Sequence, residues 1–191
     1  DDVGGRLQHI VRQLPLDPRW SVVDYACGNG LLYSELRGKV ASYTGVDFST
    51  EFITAAQSRY DQEKESVEFA DQEITEFCRA NPQRFELAFA LDFVEHIYDH
   101  QLLEIFTAIR HSLKPGGMVV IHTPNAEFWL ETCKNLSLIW RQFPEHVAVR
   151  NADHLQRLLT LAGYRKIMVR YLPHYHPWLR KLEWFSHLPL L

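Results

Sequence analysis

The chain has 191 residues, 46% of them hydrophobic, and a formal net charge of −4. That length suits one domain with a sizeable core, and the charge excludes a global basic field for nucleic acid. Cys27, Cys78 and Cys133 are odd in number and far apart, which excludes a disulfide framework or a zinc knuckle and makes a cytoplasmic setting the expectation.

The opening stretch, DDVGGRLQHI, does not read as a signal peptide. No apolar run approaches the ~18 residues that span a bilayer. SVVDYA (21–26) is a β-branched apolar run and reads as a buried strand. A helix over 30–37 follows and is closed by Gly38. SYTGVD (42–47) is a second strand, and Ser49 is placed to cap a helix over 50–60. VEFAD (67–71) is a third strand, followed by a helix over 72–80 that stops before Pro82. FELAFALDF (85–93) is a long apolar strand ending in an acid. Leu102, Leu103, Phe106, Ile109 and Leu113 have helical spacing over 99–113, and LKPGG (113–117) reads as a turn. MVVIHTP (118–124) is a fifth strand, Asn151 caps a helix over 152–162, and YRKIMVRYL (164–172) alternates as a sixth strand. Strands alternating with helices through short loops predict a doubly wound, mostly parallel α/β sheet of six or seven strands with helices on both faces.

In such a sheet, ligands lie beyond the carboxyl ends of the strands. Asp24, Asp47, Asp71 and Asp92 all fall there. Gly28 and Gly30 give a bend that a ligand can approach without meeting a Cβ. No GK[ST] follows, and Ala26 occupies the first position of a would-be GxGxxG. An acid at Asp24 disfavours pyrophosphate and suits an amine or positive centre, while Asp47 suits the two hydroxyls of a ribose and Asp71 an adenine amine. An adenosine with an amine-bearing, charged tail meets all three, which fits S-adenosylmethionine better than NAD. The structural alternatives are Asp47 as a cap for the helix after it and Asp71 as the N-cap of 72–78.

DFVEH (92–96) sets two carboxylates and an imidazole close together. On a helical turn Asp92 and Glu95 share a face, as a general base with an orienting partner or as three ligands for a divalent cation. The other histidines, His9, His100, His111, His122 and His154, read as surface or packing residues.

VVDYACGNG (22–30), GVDFS (45–49), FELAFALDFVEHI (85–97), LKPGGMVVIHTPN (113–125) and EHVAVRNADHLQRLLTLAGY (145–164) together resemble the class I S-adenosylmethionine-dependent methyltransferases, and within them the ubiquinone-biosynthesis-like small-molecule O-methyltransferases. The resemblance covers about residues 20–172. It implies cofactor contacts at Asp24, Ala26, Gly28, Gly30, Asp47, Phe48, Asp71 and Leu91. It implies methyl transfer to a small-molecule acceptor, most simply a hydroxyl, with His146, His96 and Glu95 as the catalytic set and no metal assigned. Aspartate at position 92, where some of these relatives carry a glutamate ligand, weakens the metal reading. N- or C-methylation, or a non-catalytic scaffold of the same fold, are the alternatives.

The expected organisation is a cofactor-binding domain over 1–172, with 126–146 as a lid over an apolar or aromatic substrate, and an aromatic tail over 173–191. Phe128, Trp129, Leu136, Ile139, Trp140 and Phe143 furnish the lid. In the tail, Trp178, Leu179, Leu182 and Phe185 can line one helix face that packs on the protein, pairs with a second subunit or touches a membrane surface.

Overall fold

The computed structural model describes residues 5–63, 65–127 and 146–172. Residues 128–145 of the expected lid over 126–146, and the tail over 173–191, lie outside the described residues. A short helix, α1 (Arg6–Val11), precedes β1 (Ser21–Tyr25), α2 (Leu31–Leu36), β2 (Ser42–Asp47) and α3 (Thr50–Arg59). After β3 (Val67–Asp71) come α4 (Ile74–Ala80), β4 (Phe85–Leu91), a 3-10 turn at Val94–His96, α5 (Asp99–Ser112), β5 (Leu113–His122) and α6 (Ala152–Leu161).

The five strands form one sheet in the order β3-β2-β1-β4-β5. Every pairing is parallel. Strands buried on both faces read as apolar runs, which is why Val22, Val23, Leu87, Ala88, Phe89 and Ala90 are all sealed from water. One face carries Leu7, Ile10 and Val11 of α1 and Leu32 and Leu36 of α2, packed against Val22, Leu87 and Phe89. The other carries Phe77, Leu102, Phe106, Ile109, Leu158 and Leu159 against Val23, Ala88 and Ala90. Each of these large side chains contributes about 1.5–3 kcal/mol by leaving water. The chain winds outward through β2 and β3 on one side of β1, and through β4 and β5 on the other. The switch point therefore lies between β1 and β4, where a doubly wound sheet opens a crevice.

Three local features have clear causes. Ser49 caps α3, its hydroxyl accepting from the Phe52 N–H at 3.4 Å, and Asn151 caps α6, accepting from the His154 N–H at 2.9 Å. α4 starts later than expected, with Glu73 rather than Asp71 at its N-cap. α5 runs straight into β5, and the expected LKPGG turn becomes the start of the strand, with a register shift against β4 between Phe85 and Leu87.

The expected sixth strand is not formed. Residues 164–172 pair with no strand among the described residues, and Met168 and Tyr171 remain exposed. Alternation marks a half-buried surface only when a neighbouring strand supplies the ladder. The described sheet thus has five strands rather than six or seven. Among the described residues no helix is long and apolar enough to cross a membrane.

Candidate functional site

At the end of β1 the chain turns through three left-handed residues, Ala26 (φ 57°), Gly28 (φ 53°) and Gly30 (φ 75°). Gly30 is confined: a Cβ there would stand 2.8 Å from the Phe69 ring. Gly28 is the opposite: among the described residues nothing lies within 4 Å of the place a Cβ would occupy. The bend thus offers bare backbone beside open space, which fits the close approach of a ligand.

Asp47, at the end of β2, is 6% exposed. It accepts from the Gly28 N–H at 2.9 Å and, through its other oxygen, from the Ser49 N–H at 2.9 Å. The carboxylate therefore ties the bend to the neighbouring strand rather than capping α3, and its remaining lone pairs stay available to hydroxyl donors. Asp24 is 4% exposed and accepts from the Tyr43 hydroxyl at 2.8 Å. Burial pushes its pKa up to about 7, opposed by the Tyr43 hydrogen bond and assisted by the Asp47 charge. Asp71 sits opposite Asp47 in the β2–β3 register and accepts from the Thr50 hydroxyl at 2.6 Å. Phe48 follows Asp47 with 73% of its surface in water, and Leu91 ends β4 half-buried. The predicted cofactor residues thus gather at the tips of β1, β2, β3 and β4. Open space over Gly28, acids on three adjacent strands and an exposed aromatic ring fit an adenosyl ligand with a cationic tail.

Past β4, the turn Val94–His96 presents Glu95 and His96, and the segment leading into α6 brings His146 to them. Ligand-type atoms of the three residues lie within 4.8 Å of one another. The His96 and His146 rings meet edge to face with centroids 5.0 Å apart. Glu95 is 2% exposed and accepts from the Thr123 hydroxyl at 2.9 Å, while its carbonyl accepts from the Ala148 N–H at 3.1 Å. Burial raises the Glu95 pKa; the nearby Asp92 adds to the rise, while backbone and Thr123 hydrogen bonds and His96 oppose it. A buried acid beside two imidazoles can accept and relay a proton. The same three donors, one carboxylate and two nitrogens, suit a divalent transition metal.

Asp92 does not join this cluster, contrary to the expected shared face with Glu95. Its backbone is left-handed (φ 51°), so it precedes the turn instead of lying on it. The carboxylate is taken by His122 Nδ1 at 2.7 Å and by the Arg6 guanidinium at 2.5 Å. Burial pushes its pKa up, but the His122 hydrogen bond and the Arg6 charge outweigh that and hold it below the usual carboxylate value. His122 is therefore part of a strand-end network rather than a packing residue. Sequence reasoning missed Arg6, because a six-residue helix without a side-chain cap has no periodic signature.

The methyltransferase domain family matches residues 2–169. A ubiquinone biosynthesis O-methyltransferase of Coxiella burnetii is 28% identical over 90% of this chain and 74% of that protein. The YcgJ protein of Bacillus subtilis superimposes with a TM-score of 0.69 at 20% identity, over 95% of this chain and 82% of that one. A SAM-dependent methyltransferase of Archaeoglobus fulgidus gives 0.67 at 16% identity, over 94% and 82% of the two chains. Both structures share this fold.

Proposed function

The chain belongs to the methyltransferase domain family and is an S-adenosylmethionine-dependent methyltransferase, and from that premise we propose that it methylates a hydroxyl group of a small, largely apolar molecule. When bound, the cofactor supplies an electrophilic methyl group on a sulfonium. In this reading the protein's own residues divide the work between two sides of the switch point. Asp24, Ala26, Gly28, Gly30, Asp47, Phe48, Asp71 and Leu91 hold the cofactor, with Asp24 aimed at its amine and Asp47 at its ribose. Glu95, His96 and His146 receive the proton of the acceptor hydroxyl.

The observation that carries the proposal is the convergence of Glu95, His96 and His146 within 4.8 Å, from segments some fifty residues apart in sequence. A hydroxyl is a weak nucleophile until it loses its proton, and imidazole is the side chain suited to take it near neutral pH. The similarity to a relative named as an O-methyltransferase supports oxygen as the acceptor atom. The apolar acceptor rests on the aromatic composition of residues 126–146. The test is methyl transfer from labelled cofactor to matched phenols and anilines carrying an apolar chain. Labelled phenol ether is the expected product; exclusive labelling of the aniline overturns the oxygen assignment.

A second reading is favoured by the same convergence: Glu95, His96 and His146 as ligands of a divalent cation that binds the acceptor oxygen. It would lower the pKa of a coordinated hydroxyl without a protein base. Chelation separates the two readings, as argued below.

A further inference from the structure

Arg150 is the one arginine among the described residues whose whole side chain is sealed from water, with 2% of it exposed. Burying a guanidinium is costly unless each donor finds a partner. Here its donors are spent on three stretches of chain. Nε donates to Asp99 Oδ1 at 2.8 Å. Nη1 donates to the Val94 carbonyl at 2.6 Å and to the Ala148 carbonyl at 2.9 Å. Nη2 donates to the Ile97 carbonyl at 2.7 Å.

The identity of those acceptors matters. Val94 opens the 3-10 turn that carries Glu95 and His96, Ile97 follows it, and Ala148 lies two residues beyond His146. A single planar group therefore fixes the two segments that supply all three side chains of the proton-handling cluster. Its own backbone extends the tie: the Arg150 carbonyl accepts from the Ala126 N–H at 3.2 Å, just beyond Thr123, which hydrogen-bonds Glu95. Asp99 compensates the buried charge, and its carboxylate is in turn braced by His154 Nε2 at 2.9 Å.

We propose that Arg150 is a positioning residue for methyl transfer: it touches neither ligand, but sets the separation of His146 from Glu95 and His96. This rests on the reading of that cluster given above. Lysine cannot replace it, because a single ammonium lacks the planar fork that reaches carbonyls on opposite sides. A displacement of about 1 Å at a catalytic group costs on the order of a hundredfold in rate.

The test compares Arg150→Lys and Arg150→Met with His96→Ala and His146→Ala. Turnover is normalised to the number of cofactor sites measured by calorimetry with S-adenosylhomocysteine, so that unfolded protein does not count. The expected result for Arg150→Lys is a kcat ten- to a hundredfold lower, a cofactor Kd within twofold of the parent, and an altered pH profile of kcat. Loss of cofactor binding in step with turnover would show a merely structural role and overturn the proposal. If Arg150→Met fails to fold, Arg150→Lys and Asp99→Asn carry the test, the latter expected to reproduce the kcat loss in milder form. Should the histidine variants lose turnover while Arg150→Lys keeps it, the positioning role is wrong and the cluster stands. Should the histidine variants keep turnover, the cluster reading itself fails, and this proposal with it.

Discussion

Asp92 and His122 join the carboxyl ends of β4 and β5 through a 2.7 Å contact, and the same carboxylate receives Arg6 from α1. The Asp92 N–H also donates to the His122 carbonyl at 2.8 Å, so backbone and side chain hold one arrangement. Because the carboxylate is kept ionised, His122 Nδ1 carries the proton and donates it. This network fastens α1 to the carboxyl ends of β4 and β5. The Asp92 pKa is depressed on folding, so its contribution is present above the usual value of 3.8 and is lost as pH falls below it. Arg6→Met is expected to lower the melting temperature at pH 7, with the deficit shrinking in acid below that value. Thermal melts between pH 2.5 and pH 7 check this; a deficit independent of pH would show that Arg6 acts through packing alone.

Ala26 is a second strained point. It holds φ 57° with a Cβ, in the bend where the GxGxxG pattern places glycine. The left-handed region costs a non-glycine residue about 1–2 kcal/mol, partly offset by the about 0.4–1 kcal/mol of extra unfolded-state entropy that glycine brings. Ala26→Gly should therefore stabilise the protein by roughly 0.5–1 kcal/mol, seen as a rise of about 2–3 °C in melting temperature. Ala26→Val, with a β-branched side chain at positive φ, should do the reverse. An Ala26→Gly variant that melts lower would show that the bend is set by contacts rather than by local conformational preference.

The two kinds of signal in the sequence fared differently. Buried parallel strands declare themselves as apolar runs, and β1 through β4 start at Ser21, Ser42, Val67 and Phe85, where those runs begin, and stop within two residues of where the runs end. Strand-end acids were legible for the same reason, since a polar residue closing such a run must lie at the sheet's rim. Tertiary closure was not legible. Nothing in the spacing of Asp92 and Glu95 reveals that a left-handed residue will precede a 3-10 turn and separate them. Nothing local distinguishes Arg150 from a surface arginine, because its partners other than the Ala148 carbonyl, namely the Val94 and Ile97 carbonyls and the Asp99 carboxylate, lie more than fifty positions away. Residues 164–172 show the converse, a strand-like pattern that pairs with no strand among the described residues.

Asp24 gives a prediction with a definite sign. Its pKa rises from 3.8 to about 7 on folding, so between those values the folded chain holds a proton that the unfolded chain releases. This group's stabilising contribution is full below 3.8 and is lost as pH rises through about 7, with a slope of at most about 1.4 kcal/mol per pH unit. A ligand amine favours the ionised form, so cofactor affinity should climb through the same window as ligand-free stability declines. Asp24→Asn should flatten both profiles and weaken binding most at pH 8. Calorimetry with S-adenosylhomocysteine at pH 5 and pH 8, beside thermal melts of ligand-free protein, provides the check. An unchanged affinity slope in Asp24→Asn would remove Asp24 from the cofactor contacts.

His146 decides between the two readings of the acceptor side. It lies opposite His96, ring edge to ring face, and outside the strand-end acids assigned to the cofactor. His146→Ala should leave cofactor affinity within about twofold and lower kcat by about a hundredfold or more, the scale of a lost general base. Under the base reading, exhaustive chelation leaves turnover of the parent protein intact. Under the cation reading it abolishes turnover, and added manganese or zinc restores it in the parent but not in His146→Ala or His96→Ala. Metal titration followed by melting temperature gives a readout independent of turnover. A cation held by three side chains stabilises the folded state in proportion to the logarithm of its concentration, and loss of that shift in Glu95→Gln would place the ion on this cluster. No shift with either metal, together with chelator-resistant turnover, leaves Glu95, His96 and His146 as a proton-handling group and rules out the cation.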